Sequence, residues 1–365
     1  VQYTTFEERF VFNKWNSTWQ SFNGKFWILV LTTFVDSVGG TMIFPFFSLY
    51  ITQKFNVGMT EAGLLMGTFA ISGFIGSMIG GALADRFGRK KMVIFGLVFS
   101  ALSSVVMGLL NNYALFYALS VFVGLLSNIA GPARQAMVAD LLPEEKRTEG
   151  FGIIRIAANL AWVIGPTIGG IVSVYSYLAL FIADAVTSLI VAVIFMRLIP
   201  ETKPEAAEDV EKETLLQTFA GYFTVAKDRI FLFFMLALVI GLFAYQQIYN
   251  TLSVFLRDVH GVDGSGYGFL MSANAFVVIL TQFWVTRQTN KFKPMPALAV
   301  GMAFNLAGFF IYGFATEFWL FFVAMMAITL GEMVIVPLSS ALASKFSPEH
   351  MRARYMAFFS LIWVV

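Results

Sequence analysis

Long apolar segments separated by short polar turns run along nearly the whole sequence. A helix that spans a bilayer needs about 20 mostly apolar residues, and the chain meets this requirement repeatedly. Two of the turns, Asn111-Asn112 and Thr316-Glu317, are so short that the flanking segments are expected to form hairpins. The pattern predicts an all-α integral membrane protein. The predicted spans are residues 26–51, 60–83, 92–110, 114–137, 152–173, 177–197, 230–254, 267–286, 295–315 and 318–341, with an eleventh beginning near Met356.

One long polar stretch interrupts this pattern and divides the chain. We expect an N-terminal cytoplasmic segment (1–25), a six-helix bundle (26–197), a cytoplasmic linker (198–229) and a second bundle (230–365). Two helical bundles joined by a linker are the plan of many secondary transporters. The second bundle is expected to be incomplete, with helices 7–10 and the start of helix 11, because the sequence ends inside a hydrophobic run.

Composition also favours a lipid environment and excludes several classes of function. Hydrophobic residues make up 58% and charged residues 13%, against about 45–50% and about 25% in soluble domains. The net charge of +2 gives no reason to expect a nucleic-acid partner. Cysteine is absent and histidine occurs only at His260 and His350, so we expect no metal and no cofactor. Motifs such as H-E-x-x-H, G-x-S-x-G and the Walker loop are missing, which argues against an enzyme.

Basic residues concentrate in alternate loops and predict the orientation. Placing the N-terminus in the cytoplasm puts most of the 24 lysine and arginine residues in inner loops, whereas the outer loops hold only Lys54 and Arg257. The positive-inside rule therefore predicts a multi-pass protein of the cell (inner or plasma) membrane with a cytoplasmic N-terminus. Arg134 and Arg155 fall near inner helix ends, where long side chains are expected to snorkel.

The most specific motif is the loop Gly80-Gly81-Ala82-Leu83-Ala84-Asp85-Arg86-Phe87-Gly88-Arg89-Lys90-Lys91. It closely resembles the signature loop of the major facilitator superfamily, which implies the major facilitator fold of two six-helix bundles. The resemblance further implies a cytoplasmic latch formed by Asp85, Arg86 and Arg89 with neighbouring helix ends, and Asp140 as the partner of Arg89. The alternative is ordinary positive-inside charge.

A second motif lies in the fifth span, at Ala161-Trp162-Val163-Ile164-Gly165-Pro166-Thr167-Ile168-Gly169-Gly170. It resembles the pattern of antiporters in the same superfamily, with Gly165, Pro166, Gly169 and Gly170 matching and Ala161 replacing the first glycine. Proline interrupts the helical ladder, and glycine allows close helix contact. The alternative is a packing kink of the kind found in many membrane helices.

A third region, Leu330-Gly331-Glu332-Met333-Val334-Ile335-Val336-Pro337, is followed by Pro348-Glu349 and by Arg352-Ala353-Arg354-Tyr355-Met356. It resembles bacterial multidrug:proton antiporters of the superfamily. Such antiporters often carry an arginine in the fourth helix, four residues before a glycine. Here Ser120 stands four residues before Gly124, so this chain has a serine where such antiporters have that arginine.

Three acids lie deep inside predicted spans, where ionisable residues are unfavourable and usually functional. Asp36 lies near the midplane of the first span, Glu332 near the middle of the tenth, and Asp184 in the outer half of the sixth. Thr33, Asp36 and Gly40 are expected to share a helix face. A carboxylate in a low-dielectric environment can exchange a proton near neutral pH, so we interpret these acids as proton-coupling residues. The alternative, a satisfied structural acid, has most weight for Asp184.

Polar residues within other spans are candidates for lining a cavity. With 41 Phe and 17 Met in the chain, such residues as a set are consistent with a large, adaptable, partly aromatic binding space. Each one taken alone is better explained by interhelical hydrogen bonding than by substrate binding. The candidates are Asn128, Asn159, Tyr245, Gln246, Tyr249, Asn250, Asn274 and Asn305.

The leading hypothesis from the sequence is a secondary active transporter that exports small lipophilic, cationic compounds in exchange for protons by alternating access. Its expected partners are the lipid bilayer, a small-molecule substrate and protons, and it is expected to be monomeric. Two alternatives stay open: a carrier of the same fold for a lipid, sugar or peptide, and a membrane receptor or adaptor that transports nothing.

Overall fold

The computed structural model describes residues 21–203, 225–289 and 291–347 together with 355, 358, 359 and 362, without the side chains of residues 81, 82, 85, 144 and 148. Within that part of the chain, 10 helices are long and apolar enough to cross a membrane. Every one of the ten predicted spans corresponds to one of them, and the prediction of an all-α membrane protein is confirmed. The predicted linker and the predicted eleventh span fall largely outside the described residues.

The helices are longer than the apolar segments that predicted them, because polar residues extend several of them past the apolar core. They are α1 (Gly24–Ile43), α2 (Phe47–Phe55), α3 (Met59–Phe87), α4 (Arg89–Leu109), α5 (Tyr113–Ser127), α6 (Ala130–Leu141), α7 (Glu144–Tyr175), α8 (Tyr177–Leu198), α9 (Arg229–Asn250), α10 (Leu252–His260), α11 (Gly264–Thr289), α12 (Pro294–Phe314) and α13 (Phe318–Phe346).

Three of the ten spans contain an interruption that hydropathy did not reveal. In the first span a 3-10 turn at Phe44–Phe46 separates α1 from α2, because Pro45 has no N–H for the helical ladder. In the fourth span, α5 ends at Ser127 and α6 begins at Ala130. In the seventh, Thr251 separates α9 from α10. The apolar residues on either side of each point outweigh the few polar ones, such as Asn128 and Thr251, so a hydropathy window reads each span as a single helix.

Polar side chains at the helix starts explain the short turns between spans. The Asn112 side chain accepts a hydrogen bond from Leu115 N at 3.0 Å, and the Ser176 hydroxyl accepts one from Ala179 N at 3.2 Å. Both satisfy N–H groups that the first turn of a helix leaves without a partner. Between α3 and α4 the chain turns at Gly88, whose φ of +101° is open to glycine but strained for other residues.

Successive spans alternate in direction, so the molecule has two ends at which spans begin and finish. We call the end with Arg89, Arg147 and Lys203 the basic end, and the end with Lys54 and Arg257 the opposite end. Helices α1–α8 and helices α9–α13 form two groups with largely separate interior packing, although Phe46 and Leu49 of the first group join the buried core of the second. Within the first group α1 packs on α7 and α8, and within the second α12 packs on α13. The division of the whole chain into two bundles and a linker stays a prediction.

The two groups meet towards the opposite end. Helix α7 of the first group packs along α11 of the second, and the Thr167 and Ser272 hydroxyls lie 2.6 Å apart across this interface. Nearer the opposite end, Arg257 Nη1 donates to Thr52 Oγ1 at 3.2 Å. The Ser48 and Ser253 hydroxyls are 3.3 Å apart. These contacts fix the two groups against each other on one side of the molecule.

Candidate functional site

The first group of helices contains an ion pair inside the membrane span. Asp36 lies in α1 and Arg134 in α6, and Arg134 Nη1 is 2.7 Å from Asp36 Oδ2. The Ser188 hydroxyl, on α8, donates to the other carboxylate oxygen at 3.3 Å. The side chains of Asp36 and Arg134 are 23% and 19% exposed, so the pair is largely removed from solvent but remains reachable.

The expectation that Arg134 snorkels towards a helix end is therefore wrong. The guanidinium turns inward because a carboxylate is within reach, and a charge pair is far more favourable inside a bilayer than an isolated charge. Arg134 Nε has no hydrogen-bond partner in the described part of the structure. The fourth span thus contains a membrane-embedded arginine, but not at the position that Ser120 occupies. Arg155 is exposed.

Asp184 completes a cluster of three charged residues. It lies on α8, half-buried, beside Ser104 and close enough to Asp36 for the two carboxylates to interact. Gly39 makes this approach possible, since a Cβ at position 39 would lie 2.9 Å from Asp184 Oδ1. The sequence pointed instead to Gly40, where a Cβ would meet nothing within 4 Å.

A cavity of about 540 Å³ opens beside this cluster. Its polar lining includes Thr33, Asp36, Asn128, Arg134 and Gln135. Asn128 therefore lines a cavity, but its Nδ2 group donates to Gly124 O of the preceding turn at 2.8 Å. The cavity is bounded by α1, the α5–α6 junction and α7 of the first group.

The second group carries its own embedded acid, Glu332 of α13. Asn274 of α11 places its Nδ2 group 3.2 Å from Glu332 Oε2 and 2.8 Å from Thr329 Oγ1. Tyr245 of α9 is a further hydrogen-bond partner of the carboxylate. None of the ion pairs among the described residues involves Glu332. The sequence named Asn274 and Tyr245 separately, and the fold brings both to the same acid.

An aromatic cluster adjoins Glu332 and spans the two groups of helices. Tyr249 lies close enough to Glu332 for electrostatic interaction, and its hydroxyl is 3.3 Å from that of Tyr245. The Tyr249 ring is 5.4 Å from the Trp162 ring of α7 and 6.1 Å from the Phe44 ring, between centroids. Phe44 and Trp162 belong to the first group, so this cluster surrounds the space between the groups.

The other cavity candidates are less well defined by their contacts. Asn159, Gln246 and Asn250 are half-buried and have no polar partner within the described residues. Asn305 is buried on α12 and packs against Gly331 of α13, where an added Cβ would lie 2.9 Å from the Asn305 Cγ atom. The Asn305 Oδ1 atom has no hydrogen-bond partner in the described structure. These four residues do not converge on Glu332 or on Asp36 through any hydrogen bond that the structure describes.

At the basic end, Arg89 of the signature loop forms an ion pair with Asp140 of α6. Arg89 Nη1 also donates to Ala136 O at 3.3 Å. The Arg86 guanidinium lies over the Phe87 ring at 5.4 Å, and the Asp85 side chain lies outside the described residues. The contacts join α4 to α6, while the role of these residues as a latch stays a prediction.

The sequence did not single out Glu201, which also contacts the signature loop. Glu201 Oε1 accepts hydrogen bonds from Arg89 N at 2.9 Å and Lys90 N at 3.3 Å, at the start of α4. Partial burial opposes the charge of this carboxylate, but hydrogen bonds from four backbone N–H groups outweigh burial and lower the pKa of Glu201. The sequence signal that was available is the position of Glu201 just after the end of α8, because the chain passes close to the start of α4 there.

The glycines of the fifth span face two different helices. On the side facing α1, a Cβ at Gly165 would collide with Thr41 and a Cβ at Gly169 with Met42. On the side facing α11, a Cβ at Gly170 would lie 2.9 Å from Gly264 O. On α11, a Cβ at Gly268 would lie 2.7 Å from Pro166 O. The motif therefore lets α7 approach α1 on one side and α11 on the other.

Comparison with known proteins identifies what this chain is similar to. Residues 29–365 match the family described as the Major Facilitator Superfamily. A Na(+), Li(+), K(+)/H(+) antiporter from Planococcus maritimus is 28% identical over 356 residues, covering 89% of this chain and 82% of that protein. The quinolone resistance protein NorA of Staphylococcus aureus (strain COL) is 22% identical over 319 residues, covering 86% of this chain and 80% of that protein. A solved structure, the bacterial homolog of the human lysosomal transporter Spinster in an inward-facing, unoccupied conformation, has a TM-score of 0.74 at 17% identity and covers 93% of this chain and 78% of that chain.

Proposed function

Because the chain belongs to the Major Facilitator Superfamily and its relatives are transporters rather than enzymes, we propose that it exports small lipophilic cations in exchange for protons. The observation that carries this proposal is the environment of Glu332. Its carboxylate has no basic partner among the described residues and lies beside an aromatic cluster between the two groups of helices.

A lipophilic cation is complementary to this environment in two ways. Its charge pairs with the carboxylate, which otherwise remains in a region where an unpaired charge is strongly unfavourable. Its apolar surface packs against Trp162, Phe44 and Tyr249, and aromatic ring faces attract cations. A neutral sugar would leave the Glu332 charge unpaired, and a zwitterionic peptide would bring a carboxylate together with its ammonium group, which is why we favour a cation over those substrates.

Proton exchange follows from competition for one carboxylate. When Glu332 is protonated it is neutral and does not attract a cation, and when a cation binds the proton must leave. A ligand that binds one state of the protein better than the other shifts the population of states. Antiport results if the carrier crosses between its two conformations with either a proton or a cation at Glu332.

The three charged residues of the first group supply a second proton site under this proposal. Arg134 is paired with Asp36, and its buried Nε atom has no hydrogen-bond partner among the described residues. Asp184 is close enough to interact with Asp36. Protonation of Asp36 would release Arg134 to pair with Asp184, so the cluster has two arrangements that differ by one proton.

The conformational elements fit alternating access. We propose that the basic end is cytoplasmic and that the opposite end faces outward from the cell membrane. Contacts between the two groups of helices, including Arg257 with Thr52, then close the outer side. The glycines of α7 and α11 permit that closure, and the Arg89–Asp140 pair acts as a latch at the cytoplasmic side.

A second candidate is exchange of alkali cations for protons. The relative from Planococcus maritimus is named as such an antiporter. Asn274, which also bonds to Thr329, and Tyr245 place oxygen-bearing side chains near the Glu332 carboxylate. Carboxylate and hydroxyl oxygens suit hard cations. The aromatic cluster favours the lipophilic cation, and the oxygen groups favour the alkali ion.

Transport by proteoliposomes under an imposed pH gradient separates these candidates. The panel contains tetraphenylphosphonium, Na⁺, Li⁺, K⁺, a sugar and a dipeptide. We expect gradient-driven movement of tetraphenylphosphonium. Movement of Na⁺, Li⁺ or K⁺ alone would establish the second candidate instead. Movement of the sugar or the dipeptide alone would contradict cation selectivity, and no movement of any solute would favour a receptor or adaptor.

A further inference from the structure

The hydrogen-bond ladder of α13 is interrupted just beyond Glu332. Pro337 lies inside this helix, and proline has no backbone N–H to donate to the carbonyl four residues earlier. The carbonyl that loses its helical donor belongs to Met333, the residue that follows Glu332. A carbonyl without a partner is strongly unfavourable inside a membrane, so it must be satisfied by another group.

A glutamine of α11 provides the missing donor. Gln282 Nε2 lies 3.0 Å from Met333 O, and the hydroxyl of the adjacent Thr281 lies 3.2 Å from Met333 Sδ. Met333 is fully buried, so water does not reach this carbonyl. Helix α11 therefore contacts both the backbone and the side chain of the residue next to Glu332.

The turn that follows Pro337 also depends on side chains. The Ser339 hydroxyl donates to Ile335 O, and the Ser340 hydroxyl donates to Val336 O at 3.0 Å. Hydroxyl groups that bond back to the preceding turn weaken and bend helices. The segment 333–340 is thus a locally weakened part of α13, and the Gln282 bond ties it to a neighbouring helix.

Helix α11 contacts α13 on both sides of the Glu332 carboxylate. Two turns before Gln282 on α11, Asn274 donates to Glu332 itself. A shift of the weakened segment would rotate the residues that precede it. We propose that Gln282 is a positioning residue that replaces the N–H missing at Pro337 and thereby holds the Glu332 carboxylate towards Asn274 and Tyr245. The consequence for transport rests on the function proposed for Glu332, whereas the replacement of the hydrogen-bond donor does not.

A double-mutant cycle tests this role without any transported substrate. The readout is labelling of Glu332 by dicyclohexylcarbodiimide, a reagent for protonated carboxyl groups in apolar surroundings, measured by peptide mass spectrometry on the purified full chain. We expect Gln282→Met to raise the labelling rate roughly fivefold, which corresponds to the loss of one hydrogen bond of about 1 kcal/mol. Pro337→Ala supplies the absent N–H, so adding Gln282→Met to Pro337→Ala should change nothing further.

Gln247→Met is the matched control. Gln247 donates to Phe243 O within its own helix at 3.0 Å, and that carbonyl is not opposite a proline. The control should leave Glu332 labelling as it is in the unaltered protein. Should Pro337→Ala fail to fold, amide hydrogen exchange over residues 333–341 decides, with faster exchange expected in Gln282→Met and not in Gln247→Met.

Two results would overturn the inference. One is an unchanged labelling rate in Gln282→Met, and the other is an equal increase with Pro337 present or replaced. Normal proton-coupled transport by Glu332→Gln is a different outcome. That outcome would remove the function proposed for Glu332. The structural role of Gln282 would still hold if the labelling effects of Gln282→Met and Pro337→Ala remained non-additive.

Discussion

The two groups of helices each bury a carboxylate within the membrane span, but they treat its charge differently. Asp36 of the first group pairs with Arg134 at 2.7 Å. Glu332 of the second group has the Asn274 amide and Tyr245 as hydrogen-bond partners, and no basic side chain among the described residues forms an ion pair with it. One acid is neutralised by the protein itself, and the other requires a proton or a bound cation.

This difference separates two tasks of a carrier. A cation that approached Asp36 would have to displace Arg134, whereas a cation that approaches Glu332 displaces at most a proton. We therefore propose that the first acid switches between arrangements of the protein and that the second binds what is transported.

The acid without a basic partner should be the more sensitive to neutralisation. We expect Glu332→Gln to lower proton-coupled transport of tetraphenylphosphonium by about a hundredfold or more, the scale of losing a buried charge pair. The substitution should leave the melting temperature in detergent unchanged or higher, because it removes an unpaired charge. Transport within twofold of the unaltered protein would show that Glu332 is a structural acid.

The paired acid should show a smaller effect on transport and a larger one on stability. We expect Asp36→Asn to reduce transport roughly tenfold and to lower the melting temperature, because it leaves Arg134 without its carboxylate. Asp36→Asn combined with Arg134→Gln should recover the melting temperature but not transport.

If instead the double variant is as unstable as Asp36→Asn, the ion pair is not what stabilises this region. Equal transport by Asp36→Asn and the unaltered protein would contradict the proposed switch at Asp36 and Arg134. Proton coupling would then be proposed for Glu332 alone. Both quantities can be measured on the same purified samples.

The contact between the two groups is open to a steric test. A side chain at position 268 would lie 2.7 Å from Pro166 O and 2.9 Å from the Gly170 Cα atom, so Gly268→Val should separate α7 from α11. The chain contains no cysteine, so spin labels at Lys54→Cys and His260→Cys report the gap at the opposite end directly. We expect a longer mean distance in Gly268→Val than in Gly313→Val, a control where a Cβ meets nothing within 4 Å. Identical distance distributions would contradict the proposed closure.

The smallest effect is expected at Glu201, outside the membrane span. Its pKa is lowered in the folded protein because four backbone N–H bonds outweigh partial burial, so its contribution to stability is present at neutral pH and is lost as pH falls through the lowered pKa. Glu201→Gln should melt slightly below the unaltered protein at pH 7, and the difference should shrink as the pH falls below the ordinary glutamate pKa of about 4.3. Glu149→Gln, which changes an exposed acid at the same end, should show no such difference. A gap that is constant with pH would mean that the charge of Glu201 is not involved.

Much of the fold was predictable because a bilayer requires long apolar helices and satisfied backbone groups. The ten spans follow from hydropathy alone, and the expected major facilitator fold, which rested on the signature loop, is confirmed. The interruptions at residues 128–129 and at Thr251 were missed because the few polar residues there do not end a hydropathy window.

The site was predictable only as a set of separate residues. Asp36, Asp184 and Glu332 stand out because acids are rare in membrane spans. The pairing of Asp36 with Arg134 joins positions 98 residues apart, and it depends on how α1 and α6 are rotated about their axes. Sequence patterns do not determine that rotation, since lipid-facing and buried surfaces are both apolar here. For the same reason the sequence points to Gly40 where Gly39 makes the close contact, and no sequence pattern marks Gln282.

The central claim is that Glu332 exchanges a proton for a cation, and proton release tests it most directly. Tetraphenylphosphonium is added to the purified protein in weakly buffered detergent near neutral pH, and the pH of the solution is recorded. We expect the unaltered protein to release about one proton per bound cation and Glu332→Gln to release none. Cation binding without proton release, or equal release by Glu332→Gln, would contradict it.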